Sequence, residues 1–391
     1  MSSAVGVPQM SLMIPRKIFS AEHDDFRNTV RRFITEEILP HHERWEEQQH
    51  VDRAIWNRAG ELGFLCVNQP EQYGGAGADR LYSMIIIEEL SRAGASGIGF
   101  PLHSDIVGNY ILNYGNEEQK KKWLTKMASG EMISAIAMTE PGAGSDLQAV
   151  RTRAVADGDH YIVNGSKTFI TNGYLSDLSV VVVKTGNSGE GAKDMSLLVI
   201  ESGSEGFTKG KPLKKVGMKA QDTCELFFKD VRVPKSNLLG TEGAGFKMLM
   251  HELAWERMIC SIMCIAQAEG ALVSTLEYTR NRKVFGKSVA SLQNSKFKLA
   301  EAKSEITIGQ VFVDRCMELE LEKKLSADAA AACKYWTSEL ADRVIDECLQ
   351  LHGGNGYMLE YPVARYYVDA RVNRIFGGTS EIMKEIISRN L

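Results

Sequence analysis

Tyr161-Ile-Val-Asn-Gly-Ser-Lys-Thr-Phe-Ile-Thr-Asn-Gly173 is the stretch on which the fold turns. Short apolar and β-branched segments are punctuated by two Asn-Gly pairs, Asn164-Gly165 and Asn172-Gly173. Asn-Gly tolerates the positive φ angles that tight turns need, so the stretch predicts a β-hairpin. Outward from it, residues 132–138, 178–183, 196–200 and 224–233 read as further strands. Their short, regular spacing predicts a barrel or compact β domain and argues against alternating βαβ units. On both sides the period changes to helical. Upstream, Phe26, Val30, Phe33 and Ile34 recur at three- and four-residue steps, with Pro40 closing the segment. Ile55, Leu62 and Leu65 suggest a second helix, and residues 82–92 and 116–129 suggest two more. Downstream, periodic stretches cover about 245–280, 289–321, 326–353, 361–372 and 379–389. An α–β–α order follows: a helical domain over residues 1–131, a β domain over 132–240 and a helical bundle over 241–391.

A length of 391 residues suits two or three domains at about 150 residues each. Hydrophobic residues make up 44% and charged residues 25%, which fits a globular chain and argues against disorder. The net charge of -4 offers no cationic surplus for nucleic acid. Seven scattered cysteines without a Cys-x-x-Cys argue against a disulfide framework or a zinc site and fit a reducing compartment. The histidines form no ligand pattern, so no metal is expected, and His41-His42 reads as a solvated helix turn. No run of 18 apolar residues suggests a membrane span. The first 20 residues lack acids, carry Arg16 and Lys17, and lack the apolar core of a secretory signal. A flexible start is the plain reading and a mitochondrial presequence the alternative.

Met138-Thr-Glu-Pro-Gly-Ala-Gly-Ser-Asp146 follows a strand, and such a turn can cradle a phosphate with free backbone N–H groups. Gly142-x-Gly144 begins a dinucleotide fingerprint, but Leu147 stands where its third glycine belongs and the flanks are not βαβ. No Gly-x-x-x-x-Gly-Lys-Ser/Thr is present. Taken alone, the loop reads as a turn. On the helix beginning near Gly245, Phe246, Leu249, Met250, Leu253, Cys260 and Cys264 form an apolar stripe, with Arg257 near its middle and Glu256 at its edge. A carboxylate there is either half of a Glu–Arg ion pair or a desolvated general base with a raised pKa, and the pattern leaves both open.

Four motifs together resemble the acyl-CoA dehydrogenase family. They are Thr139-Glu-Pro-Gly-Ala-Gly-Ser-Asp146, Asn164-Gly165 with Phe169-Ile-Thr171, Arg282-Lys-Val-Phe-Gly286, and Gln350-Leu-His-Gly-Gly-Asn-Gly356 with Gly378-Thr-Ser-Glu381. The resemblance implies an α+β fold with an N-terminal helical domain, a middle β-barrel and a C-terminal four-helix bundle, binding FAD. It implies FAD contacts along Ile136, Ala137, Met138, Thr139, Glu140, Pro141, Gly142, Ala143, Gly144 and Ser145, with Ser145 also toward substrate. Phe169, Ile170 and Thr171 would lie near the flavin ring, and Thr379, Ser380 and Glu381 near its adenine side. Arg282, Gln293, Gln350, Leu351, His352, Gly353 and Gly354 would reach the FAD of a neighbouring subunit, which implies a homo-oligomer, usually a tetramer.

One departure is informative. Many relatives carry the catalytic Glu immediately before the Gly-Thr, where this chain has Gly377. A minority, including long-chain and isovaleryl-CoA dehydrogenases, place it on the long helix, and Leu253-Ala-Trp-Glu-Arg257 matches that placement. The resemblance therefore assigns the base to Glu256, with Ala254, Trp255, Arg257, Gly377 and Gly378 beside the substrate. Tyr361-Pro and Asp369-Ala-Arg371 look closest to the long-chain branch. The implied reaction is α,β-dehydrogenation of an acyl-CoA, with electrons passing to an electron-transferring flavoprotein, in a bacterial cytoplasm or the mitochondrial matrix. The rivals are an acyl-CoA oxidase or nitroalkane-type oxidase of the same fold, and a non-catalytic acyl-CoA-binding homologue.

Overall fold

A computed structural model describes residues 10, 13–186, 188–189, 191–389 and 391. The expectation of a flexible start or presequence covers the first 20 residues; of these, 1–9, 11 and 12 lie outside the described residues, while Arg16 is held in place by ion pairs with Glu88 and Asp314, each at 2.7 Å. Upstream of the sheet lie α1 (Ala21–Phe33), α2 (Leu39–Gln48), α3 (Arg53–Glu61), α4 (Arg80–Arg92), α5 (Gly108–Tyr114) and α6 (Glu117–Ala128). Pro40 does not close its segment. A π turn, Ile34–Ile38, carries α1 into α2, and Pro40 sits in the first turn of α2, where a missing N–H costs nothing. His42 is buried rather than solvated: it accepts the Gly97 N–H, and burial, with Arg365 nearby, drives its pKa down to about 3. A second π turn, Leu102–Val107, feeds directly into α5.

The sheet comprises β1 (Ser134–Ala137), β2 (Arg153–Asp157), β3 (His160–Thr171), β4 (Leu178–Lys184), β5 (Met195–Glu201), β6 (Phe207–Lys209), β7 (Thr223–Pro234) and β8 (Leu238–Leu239). Its order is β6-β7-β3-β2-β4-β5-β8, with β1 parallel beside β4. The tight turn joins β2 to β3 at residues 158–159, not at Asn164-Gly165. β3 runs on through Asn164-Gly165 with a break in register against β7. Glycine is needed there because a Cβ would lie 2.5 Å from Thr152 Oγ1, while Asn164 exchanges hydrogen bonds with Asp230. Asn172-Gly173 does turn the chain: Asn172 has φ 61°, and the Gly173 N–H donates to the Ile170 carbonyl at 3.1 Å.

The bundle holds α7 (Gly245–Asn281), α8 (Gln293–Leu321), α9 (Ala327–His352), α10 (Pro362–Ala370) and α11 (Ser380–Ser388), with a short hairpin, β9 (Lys283–Val284) and β10 (Lys287–Ser288), after α7. The expected order of helices, sheet and helices is therefore present. The expected stripe on α7 is not: Met250 is exposed, and between Trp255 and Leu272 every residue except Glu256 and Met263 is buried. The helix runs through the middle of the bundle, so all its faces find apolar partners. α7 is long and apolar enough to cross a membrane, but 78% of its most apolar window is buried within the protein, as in a core helix.

One face of the sheet encloses its own core, with Tyr161, Val163, Val181, Leu198, Leu226 and Val231. The other face, with Val180, Val182 and Leu197, packs against Tyr110, Trp123 and Leu249. That second core seats α5 and the start of α7 side by side on the sheet. Burial of each large side chain there contributes about 1.5–3 kcal/mol, which fixes the two helices relative to the loop after β1.

Candidate active site

α5 and α7 meet through three successive polar contacts. Tyr110 Oη donates to Glu256 Oε1 at 2.9 Å, Asn113 Nδ2 donates to Glu252 Oε1 at 2.9 Å, and Tyr114 Oη lies 3.1 Å from His251 Nδ1. Burial pushes the Glu256 carboxyl up to about 7. The Tyr110 hydrogen bond pulls it back, the Glu252 charge adds to the rise, and Arg257 opposes it. The Glu–Arg ion pair is absent: among the described residues no cation lies within ion-pair distance of Glu256. Consecutive residues on a helix point about 100° apart. Arg257 is accordingly buried elsewhere, its Nε without a partner. Ala254 is half-buried. Trp255 packs in the bundle core beneath Arg80, whose guanidinium lies 4.4 Å from the ring.

The loop after β1 is pinched by paired hydrogen bonds between the backbones of Glu140 and Ala143, each 3.0 Å. Glu140 turns inward, where its carboxylate accepts from Lys167 Nζ at 2.8 Å, Arg151 N at 2.6 Å and Thr152 N at 2.9 Å. Burial would raise its pKa, but Lys167 and the Thr152 bonds outweigh that and hold it below the usual carboxylate range. The side chains of Ala137, Ala143 and Ile170 are likewise in the core. Only backbone atoms of these four residues remain for a ligand. Pro141, Gly142, Gly144 and Ser145 are exposed, Ile136, Met138, Thr139 and Thr171 half-buried, and a Cβ on Gly142 or Gly144 would meet nothing within 4 Å. The Thr168 N–H donates to the Thr139 carbonyl at 2.9 Å, tying β3 to the loop. Next to it the ladder skips, and Phe169, at φ 59°, presents a ring that is 68% exposed. A bulge re-aims a side chain in this way. A bare aromatic face beside open glycine backbone suits a flat ring system carrying phosphates, so the donor set fits a flavin nucleotide.

The Gly377–Gly378 turn follows Phe376, which packs against the bundle core that includes Trp255 and Met258 of α7. Both glycines have positive φ, 63° and 98°, and Gly377 faces open space. The buried Lys334 holds the turn by donating to the Gly378 carbonyl at 2.6 Å. Just upstream, Cys260 Sγ, one helical turn beyond Glu256, reaches the Asn373 carbonyl at 3.6 Å. Thr379 caps α11, Ser380 is buried with its Oγ unpartnered, and Glu381 is exposed.

The remaining expected contacts gather at the far end of the bundle. Arg282, Gln293, Gln350, Gly353 and Gly354 are exposed there, with Leu351 half-buried. His352 is buried and stacked on Tyr278 at 4.2 Å. Arg282 lies 26 residues along α7 from Glu256, about 39 Å at 1.5 Å per residue. One chain therefore does not bring these residues to its own Glu256.

Family profiles for the acyl-CoA dehydrogenase N-terminal, middle and C-terminal domains match residues 20–131, 135–231 and 243–391. The chain belongs to the acyl-CoA dehydrogenase family. It is 52% identical over 377 residues to the mitochondrial long-chain specific acyl-CoA dehydrogenase of Sus scrofa, covering 96% of this chain and 88% of that one. An acyl-CoA dehydrogenase from Geobacillus kaustophilus superposes with a TM-score of 0.94 at 49% identity, covering 96% and 99% of the two chains. The butyryl-CoA dehydrogenase of Megasphaera elsdenii superposes at 0.92 with 33% identity, covering 96% and 99%. As acyl-CoA dehydrogenases, these are flavin-dependent enzymes of acyl oxidation, and this chain shares that class.

Three residues of this acyl-CoA dehydrogenase carry weight that the sequence reading missed: Tyr110, Lys167 and Lys334. Each is fully buried with a polar atom aimed at a site segment. Lys167 lies inside the stretch read first, where a lysine among strand residues was the available signal. The other two have no local signature.

Proposed function

We propose that Glu256 is the base that removes the α-proton of an acyl-CoA thioester in an FAD-dependent dehydrogenation to the trans-2-enoyl-CoA. The observation that carries this is a half-buried glutamate with no ion-pair partner among the described residues, its pKa pushed up by burial to about 7. A carboxyl so placed changes charge near neutrality, as a general base should. Thr139, the open backbone of residues 142–145, Phe169 and Thr171 would hold the FAD, which when bound supplies the acceptor for the β-hydride. Among the described residues the Gly377 N–H has no partner within the chain, so it is available to donate to the thioester oxygen as charge develops there. Tyr110 and the apolar cluster around it keep water from the carboxyl.

Arg282, Gln293 and the 350–354 turn, too distant for their own Glu256, would serve the FAD of a second copy. Exposed Phe285, Tyr357 and Leu359 around them supply the apolar surface that a homo-oligomer, here a tetramer, would cover. An electron-transferring flavoprotein would be the partner that accepts the electrons. A bacterial cytoplasm or the mitochondrial matrix fits the organisms of the relatives. The test is anaerobic mixing of the flavin-loaded protein with a panel of acyl-CoAs. Bleaching of the flavin with formation of enoyl-CoA supports the proposal. Bleaching by none defeats it, and peroxide production at the turnover rate in air would make the protein an oxidase instead.

A further inference from the structure

We infer that Tyr110 is a positioning residue for Glu256, and that Glu252, anchored by Asn113 one helical turn away, acts on the same carboxylate in the opposite sense. The inference deepens the proposal that Glu256 is the base and rests on it. The Tyr110 side chain is fully buried, and its hydroxyl makes one hydrogen bond, to Glu256 Oε1. A carboxylate fixed through one oxygen leaves the other oxygen to meet a proton, with its rotation already restricted. The phenol is itself held from behind. α5 continues the 102–107 π turn, which His103 clamps to the Ser134 N–H at 3.1 Å and to the Met127 carbonyl at 3.0 Å. Burial and the adjacent Glu256 push the Tyr110 pKa well above its ordinary value, so the hydroxyl keeps its proton and acts only as a donor near neutrality.

A donor to the charged form of a carboxylate favours ionisation, and a like charge one turn away disfavours it. Tyr110 and Glu252 thus pull Glu256 in opposite directions. Glu252 is buried on the same helix, with Asn113 bonded to its carboxylate. Arg257 favours the charged form of Glu256. His251, exposed, sits 3.1 Å from Glu252, and Tyr114 packs against that pair from α5. From α8, Glu320 feels the Glu252 charge, and Arg80 of α4 neutralises Glu320 through an ion pair. Among the described residues only Tyr110 hydrogen-bonds Glu256 directly.

The experiment is stopped-flow anaerobic flavin reduction at saturating acyl-CoA on both sides of neutrality, with the wild type, Tyr110→Phe, Glu252→Gln, the double variant and Glu256→Gln. Infrared titration of the protonated-carboxyl band, with Glu256→Gln as the subtraction reference, gives a second readout independent of turnover. The acid limb should move up by about one pH unit in Tyr110→Phe and down by a similar amount in Glu252→Gln, with the double variant near the wild type. Tyr110→Phe should also lower the alkaline plateau about tenfold, a loss of orientation that a pKa change alone does not produce. Unmoved midpoints in both single variants, with Glu256→Gln inactive, overturn the inference and leave the base intact. A wild-type profile in Glu256→Gln overturns the base assignment itself. Tyr110→Phe keeps the ring in the core, and Glu252→Gln stands as an independent arm should Tyr110→Phe misfold.

Discussion

Replacing Lys167 with methionine tests how the glycine-rich loop is held. The ammonium is fully buried and donates to Glu140 at 2.8 Å and to the Met138 carbonyl at 3.0 Å. Without it, the Glu140 carboxylate keeps its two backbone donors but loses the one counter-charge it has among the described residues. Breaking a buried pair by removing one partner costs about 3–5 kcal/mol, and the orphaned Met138 carbonyl adds about 1. That is a large share of a total stability of about 5–15 kcal/mol. Glu140→Gln alone should cost a similar amount, because it strands the lysine. The double variant removes both charges and its glutamine oxygen can accept from one of the two backbone N–H groups, so it should return to within about 3 kcal/mol of the wild type, more stable than either single variant. The assay is denaturant unfolding of the flavin-loaded and flavin-free forms, with retained flavin read by absorbance. Both single variants should lose flavin and unfold earlier, and the double variant should recover. Additive losses, or a Lys167→Met that behaves as the wild type, would refute the clamp.

Three further outcomes follow from the geometry. His42, held at about 3 against an ordinary 6.5, leaves the unfolded chain the stronger proton binder between those values. Stability should therefore rise with pH across that window and fall by about 4–5 kcal/mol as pH drops through it, and His42→Gln should flatten the dependence in acid-unfolding curves. Arg282→Glu should lower flavin occupancy while leaving the Glu256 infrared titration unchanged, since the two residues are far apart in one chain; retained flavin with intact assembly, measured by light scattering, would count against a shared site. The open space at Gly377 should admit 2-methyl-branched acyl-CoAs at rates comparable to straight chains of equal length, and a strong preference for straight chains would show that the space is filled.

The order of helices, sheet and helices was legible because the hydrophobic period changes twice along the chain, and long periodic runs such as residues 245–280 are hard to misread. Local punctuation was less dependable. Asn164-Gly165 and Asn172-Gly173 look alike in sequence, yet the second makes a turn while the first lets β3 pass close to Thr152. Glycine answers both demands, and the sequence does not say which applies. Pro40 misled for a similar reason, since the residue that ends one helix also starts the next. The missing carboxylate at Gly377 drew attention to Glu256 in the sequence, but nothing drew attention to Tyr110: its contact with Glu256 depends on the register of two antiparallel helices and spans 146 residues of sequence, and no local pattern encodes that. The inward turn of Glu140 escaped for the same reason, because its partners lie on a strand that the chain forms only later.

The most direct test of the central claim compares the wild type with Glu256→Gln in a single anaerobic turnover. Both proteins should carry the same flavin content and the same circular dichroism. The variant should bleach its flavin about 10²–10⁴-fold more slowly, the range a general base supplies, with no acid limb left in its pH profile. Bleaching at the wild-type rate by Glu256→Gln would contradict the account and move the proton-abstracting group elsewhere in the chain.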